Sequence, residues 1–186
     1  MTLRSGTREV GPADGTLLIR TGREGAAAKM GHDLSIVATA WSATVTVVAE
    51  QPDRSSVRAT IDAASLTVRE GRGGATALTT KQQSDIEKTI RDKVLESDRH
   101  PQITFVSTAV GGTVALPTVT GDLTIAGTTR SVSLRLAVHD GEGGVRVSGS
   151  TQIVQSDFGI KPYSALLGTL RVRDTVDLEV DITLPG

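Results

Sequence analysis

The stretch TVTGDLTIAGTTRSVSLRLAVH, residues 118–139, decides the fold. Val119, Leu123 and Ile125 alternate with Thr120, Asp122 and Thr124, and after Ala126-Gly127 the alternation resumes. Val132, Leu134, Leu136 and Val138 then face Ser131, Ser133, Arg135 and His139 across the strand. A period of two with one apolar and one polar face predicts a pair of half-buried antiparallel strands. The short Gly-containing break between them predicts a tight turn.

The same pattern spreads in both directions. Upstream, PQITFVSTAV (101–110) puts Ile103 and Phe105 on one face. VRVSGSTQIV (145–154) follows the Gly-rich turn HDGEGG. LRVRDTVDLEVDITL (170–184) alternates from Leu170 to Ile182, with Arg171, Arg173, Asp177, Glu179 and Asp181 opposite. Near the N-terminus, TLLIRTG (16–22) reads as a strand and 34–48 as one long strand with apolar residues on both faces, so its inner face stays open. In residues 56–70 the apolar parity switches from Val57, Ala59 and Ile61 to Leu66 and Val68, which predicts a bend or extra residue near Ala63 and Ala64. Residues 23–33 read as a weakly helical or mobile connection.

One helix interrupts the strands, in SDIEKTIRDKVLES (84–97). Ser84 and Glu87 fit a capping box, Glu87 and Arg91 an i,i+4 ion pair, and Ile86, Ile90 and Val94 form an apolar stripe beside Leu95. That stripe is expected to cover the outside or one end of the sheet. The reading is therefore all-β: an extended, antiparallel, eight-stranded barrel with one short inserted helix, closure being the way to remove exposed strand edges. A two-sheet sandwich is the runner-up. Residues 1–15 read as a flexible lead-in and 16–186 as a single domain.

Composition narrows the function. The chain of 186 residues has a formal charge of −1, no cysteine and 2 % aromatic residues. A near-neutral chain without a concentrated basic patch offers no field for nucleic acid. Thiolate chemistry is excluded. No stretch approaches the ~20 apolar residues of a membrane helix, and the opening residues carry no secretory pattern, so a cytoplasmic location is expected. His32, His100 and His139 lack metal-ligand spacing. Ser35, Ser42, Ser107 and Ser156 lie in no nucleophile elbow, and Asp157 reads as a turn acceptor. No metal site and no enzyme are expected.

Several motifs in order resemble the YceI-like family. They are Pro101 with Phe105 and Ser107, then Gly121 to Gly127 followed by Thr129 and Arg130, then SDFGI at 156–160. RDKVLESDRHP (91–101) is similar to the family's helical lead-in, and the resemblance covers nearly all of 16–184. It departs at GHDLSIVATAW (31–41), where the family has aromatic strands, and in lacking an export signal. The resemblance implies a lipocalin-like barrel that holds a polyisoprenoid or quinone tail without doing bond chemistry. On that reading Trp41, Phe105, Leu123, Phe158 and Tyr163 are candidates for the hydrophobic cavity or its mouth, and His32 for a polar rim. The partner is a hydrophobic small molecule or lipid, with a homodimer also open. The alternative is a structural or stress-associated barrel with a packed interior and no natural ligand.

Overall fold

The computed structural model describes residues 4–141 and 143–185. In chain order the main strands are β1 (Gly6–Val10), β2 (Gly15–Arg20), β3 (Arg23–Glu24), β4 (Asp33–Ala38), β5 (Trp41–Val47), β6 (Ser56–Asp62) and β7 (Leu66–Arg72). Helix α1 (Thr80–Thr89) comes next, then β8 (Gln102–Gly112), β9 (Pro117–Ile125), β10 (Thr128–Gly141) and β11 (Gly144–Val154). β12 (Ser164–Ala165), β13 (Leu170–Val172) and β14 (Thr175–Pro185) complete the chain.

All pairing is antiparallel, in the order β1-β5-β6-β8-β9-β10-β11-β14-β2-β4-β7. Three pairs of strands continue one another across a kink: β1 with β2, β4 with β5, and β6 with β7. Taken as composites they leave eight strands, each with a neighbour on both sides, because β14 pairs with β2 as well as β11. The barrel preferred because closure removes exposed strand edges is thus present, and the sandwich is not.

The kinks explain the ambiguous periodicity. Residues 34–48 do not form a single strand; the ladder breaks at Thr39 and Ala40, and the inner face changes from Ile36 and Ala38 to Trp41, Ala43, Val45 and Val47. The neighbouring strand bends at the same level, in the 3-10 turn Ala63–Ser65, where the parity switch had placed an irregularity. Thr39 N–H donates to the Ser65 carbonyl and Asp62 N–H to the Ala40 carbonyl, so the two bends are bridged. Across them the register slips: Trp41 faces Ile61, but Ala38 faces Leu66 where an unbroken ladder would bring Ala64. Paired bends keep apolar residues inward on both sides of the kink, which a single straight strand could not do.

Other corrections are local. The flexible lead-in expected over 1–15 contains β1, paired from Gly6 with Val47 to Val10 with Ala43. Its outer residues are polar and its length is five residues, too few for alternation to register. The final strand is split, since β13 leaves the barrel to form a small sheet with β12 and β3. Residues 23–33 supply β3 and a 3-10 turn, Ala28–Met30.

The helix begins a turn earlier than its Ser84 pattern suggested. Thr79 caps it, accepting from Gln82 N–H, while Gln82 accepts from Thr79 N–H, a complete capping box. Thr79-x-x-Gln82 and Ser84-x-x-Glu87 both fit the sequence rule, and the upstream one holds the helix. Glu87 does not pair with Arg91. Its carboxylate accepts from the Val68 N–H at 2.8 Å, and Arg91 pairs with Asp92. This contact satisfies the edge of β7 where it parts from β8. After Thr89 the helix widens into a π turn, Ile90–Val94.

Candidate hydrophobic cavity

The inward residues of the barrel do not close the space between them. Leu17, Ile19 and Ile36 line the cavity together with residues of β5, β6, β8–β11, β13 and β14. Its volume is about 740 Å³. It is lined from Val48, Val57, Val110 and Val114 at one end to Met30, His32, Ile86 and Leu170 at the other. β10 alone is 14 residues long, which at the usual rise and tilt spans roughly 35 Å along the axis. Polar lining groups include Thr46, Ser55 and Thr113 toward one rim and Arg23, His32, Gln82 and Asp85 toward the other, and Gln155 and Glu179 are also on the lining. The walls between are mainly Val, Leu, Ile and Ala, with Trp41 and Phe105 among them.

The helix end is partly stoppered. Phe158, 2 % exposed, packs with Leu95, Leu123, Ile125, Ile153, Ile160 and Val176. Phe158 therefore anchors a plug and is not on the cavity lining. The turn that carries it, Gln155–Phe158, ends at Gly159 with φ 73°, a left-handed position suited to glycine. Its carboxylate partner is Asp174, which accepts from Ser156 N–H at 2.8 Å and from the Ser156 hydroxyl, so Asp157 is not the turn acceptor. Ile86, Ile90 and Val94 line the same end of the cavity, as an end-covering stripe should.

Trp41, Phe105, Leu123, Tyr163 and His32 all border the cavity. Trp41 is buried at the kink. Phe105 lies over Gly121, where an added Cβ would come 2.5 Å from its ring. That contact gives the Phe105 and Gly121 motifs a shared physical reason. Tyr163 is 48 % exposed at the rim. His32 is held there by donating its ring N–H to the Thr76 carbonyl at 2.7 Å. Met30 and Leu170 also line this rim; Leu170 stands on the apolar parity of 170–184, while no periodicity marks Met30 in the sequence. Beyond the rim, the turn Leu166–Gly168 presents a fully exposed Leu167.

Several charged side chains on and around the barrel are paired at partly exposed positions. Arg20 binds Glu179 at 2.5 Å, and hydrogen bonding to that carboxylate raises its pKa above the ordinary value. Hydrogen bonding to Arg146 holds Asp181 below the usual carboxylate range, and Arg72 does the same for Glu70. Among the described residues no group of three or more His, Asp or Glu is placed to hold a metal, and no helix is long and apolar enough to cross a membrane.

A hollow, apolar antiparallel barrel with a helical stopper agrees with the motif order. A YceI-like domain model matches residues 23–184. The chain belongs to the YceI-like family. That family is generally a binding-protein fold rather than an enzyme fold. The structure is similar to Burkholderia cenocepacia BcnA, with a TM-score of 0.66 at 20 % identity, covering 89 % of this chain and 94 % of that one. It is also similar to a YceI protein of Campylobacter jejuni, with a TM-score of 0.59 at 18 % identity, covering 78 % and 81 %. At these identities the likeness speaks for the fold. No curated protein sequence matches the chain.

Proposed function

We propose that this YceI-like protein binds and carries a long hydrophobic molecule, isoprenoid-like in character, such as a lipid or a quinone tail, inside the barrel and without bond chemistry. The carrying observation is the continuous aliphatic cavity of about 740 Å³. Sequestering a chain there stabilises the complex by ~0.8 kcal/mol for each buried CH₂. Polar groups at the rims would meet a headgroup or water, while the hydrocarbon walls would favour the tail. The alternative, a structural barrel with a packed interior, needs a filled core, and the cavity counts against it. Action in the cytoplasm belongs to the same proposal, as does a homodimer.

Native mass spectrometry of gently purified protein, followed by solvent extraction and lipid analysis, tests this reading. A stoichiometric adduct that extracts as a long-chain isoprenoid or quinone is expected. A clean apo mass, with no uptake when quinones or polyprenyl lipids are offered, would overturn it. The same spectra report whether the particle is a monomer or a dimer.

A further inference from the structure

The end of the barrel lined by Met30, His32 and Leu170 is framed by two turns. One is the 3-10 turn Ala28–Met30, and the other is Leu166–Gly168, between β12 and β13. Ala27 N–H donates to the Thr169 carbonyl at 2.9 Å, which ties the two together. Among the described residues, four of the exposed large apolar side chains belong here: Met30, Tyr163, Leu166 and Leu167, the last fully exposed. Leu166 and Leu167 both hold a left-handed backbone, at φ 51° and 55°. That conformation is an outlier for a bulky side chain and one that Gly or Asn adopts readily.

Neither leucine is buried or lines the cavity, so burial within the chain does not account for them. Strained, solvent-facing apolar residues in a cluster point to an apolar partner. The charges around them narrow its kind. Residues 23–31 and 159–172 carry Arg23, Lys29, Lys161 and Arg171 against one carboxylate, Glu24. Glu24 pairs with Arg171 at 3.5 Å and Arg23 with Asp33 at 3.9 Å, while Lys29 and Lys161 make no ion pair among the described residues. A second copy of the chain docked here about a two-fold axis would bring like charges together. A layer of anionic headgroups over acyl chains meets both features, taking the leucines into the hydrocarbon and the lysines at its surface. The opposite end of the barrel also exposes Val114 and Leu116, but the 3-10 turn packed on β8 there offers Asp53 with Arg54 and no cationic excess.

We propose that this rim is a membrane-docking surface: Leu166 and Leu167 insert into an anionic lipid interface, with Met30 and Tyr163 at the edge of the contact and Lys29 and Lys161 against the headgroups. The same two turns and the strands beside them supply Met30, Tyr163 and Leu170 to the cavity lining. Docking therefore sets the mouth of the barrel against the acyl chains, where a hydrophobic cargo passes between bilayer and barrel without crossing water. Attachment to the bilayer stands by itself; its use in loading rests on the carrier reading above.

Flotation of the full chain with vesicles tests the docking, using phosphatidylcholine alone and phosphatidylcholine mixed with phosphatidylglycerol. The wild type is expected to float with the anionic vesicles. Joint replacement Leu166→Asn and Leu167→Asn should weaken that binding about tenfold, the scale of burying one leucine side chain. Lys29→Gln and Lys161→Gln should each weaken it about fivefold, a difference that fades in high salt. Leu116→Asn at the opposite end should leave it unchanged. Because asparagine suits the left-handed positions, the double leucine variant is expected to fold at least as stably as the wild type, and thermal unfolding checks this. Wild-type protein that stays off anionic vesicles, or a folded double leucine variant that floats as well as the wild type, overturns the proposal. So does a wild-type dimer that the leucine replacements dissociate, which would assign the patch to a second copy of the chain. An apolar dye offered in the vesicles separates this proposal from the carrier reading: protein that floats but takes up no dye keeps the docking surface and counts against the cargo.

Discussion

Leu167 shows how far one residue can depart from its preferred backbone. Its φ is 55°, it is fully exposed, and Leu166 before it has φ 51°. A left-handed conformation costs a branched residue roughly 1–2 kcal/mol, whereas asparagine tolerates it. Leu167→Asn should therefore stabilise the fold by about 1 kcal/mol, which for a domain of this size raises Tm by roughly 2–4 °C. Thermal unfolding checks it, and an unchanged or lower Tm would mean that Leu167 makes contacts worth more than its strain. Asp181 is a second residue with a definite expectation. Its folded pKa is depressed by Arg146, so the stability it contributes is fully present above the ordinary aspartate value and is lost as pH falls through the lowered one. Asp181→Asn should flatten the decline of Tm below about pH 4. The effect is small, because the carboxylate is about half exposed and solvent screens the pair. Equal slopes in the two proteins would remove this pair from the acid response.

At the scale of the element, the helix separates two readings of one sequence rule. Thr79→Ala removes the cap that is formed and should cost about 1 kcal/mol. Ser84→Ala lies within the helix and should be close to neutral. Urea unfolding of both variants decides between the two caps; a larger loss from Ser84→Ala would place the helix start where the second pattern put it. Glu87→Ala has a wider effect, because it leaves the Val68 N–H at the β7 edge without its acceptor. Amide exchange at Val68 should quicken while exchange in the β9–β10 hairpin stays slow. The strands tell a similar story about legibility. β9, β10 and β14 could be traced by alternation because each runs without a kink. The break in 34–48 was hidden because both of its faces carry apolar residues, and the neighbouring bend at Ala63–Ser65 that requires it lies some 25 residues further along the chain.

For the whole molecule the decisive feature is the unfilled interior. A cavity lining of this size, if left empty, forgoes contact energy on the order of 15 kcal/mol, comparable with the total stability of an ordinary domain. A bound hydrophobic chain recovers part of that. On the carrier reading, cargo at about one hundred times its Kd should stabilise the barrel by about 2.7 kcal/mol and raise Tm by roughly 5–10 °C. Differential scanning calorimetry before and after lipid extraction measures this shift. An unchanged Tm in protein shown to have lost its lipid would separate the cavity from folding stability.

The sequence by itself determined the antiparallel strands, the all-β class, the family motifs and the apolar face of each regularly alternating strand. Alternation of period two is a local property, and burial on one face is written directly into it. Only the tertiary structure decided which parity of 34–48 points inward, that Phe158 stoppers the barrel while Trp41 lines it, and that the walls leave a cavity between them. Those outcomes depend on where paired bends slip the register and on whether opposing aliphatic side chains reach one another across a closed ring. Such distances are set by strand number and curvature, which no single strand encodes.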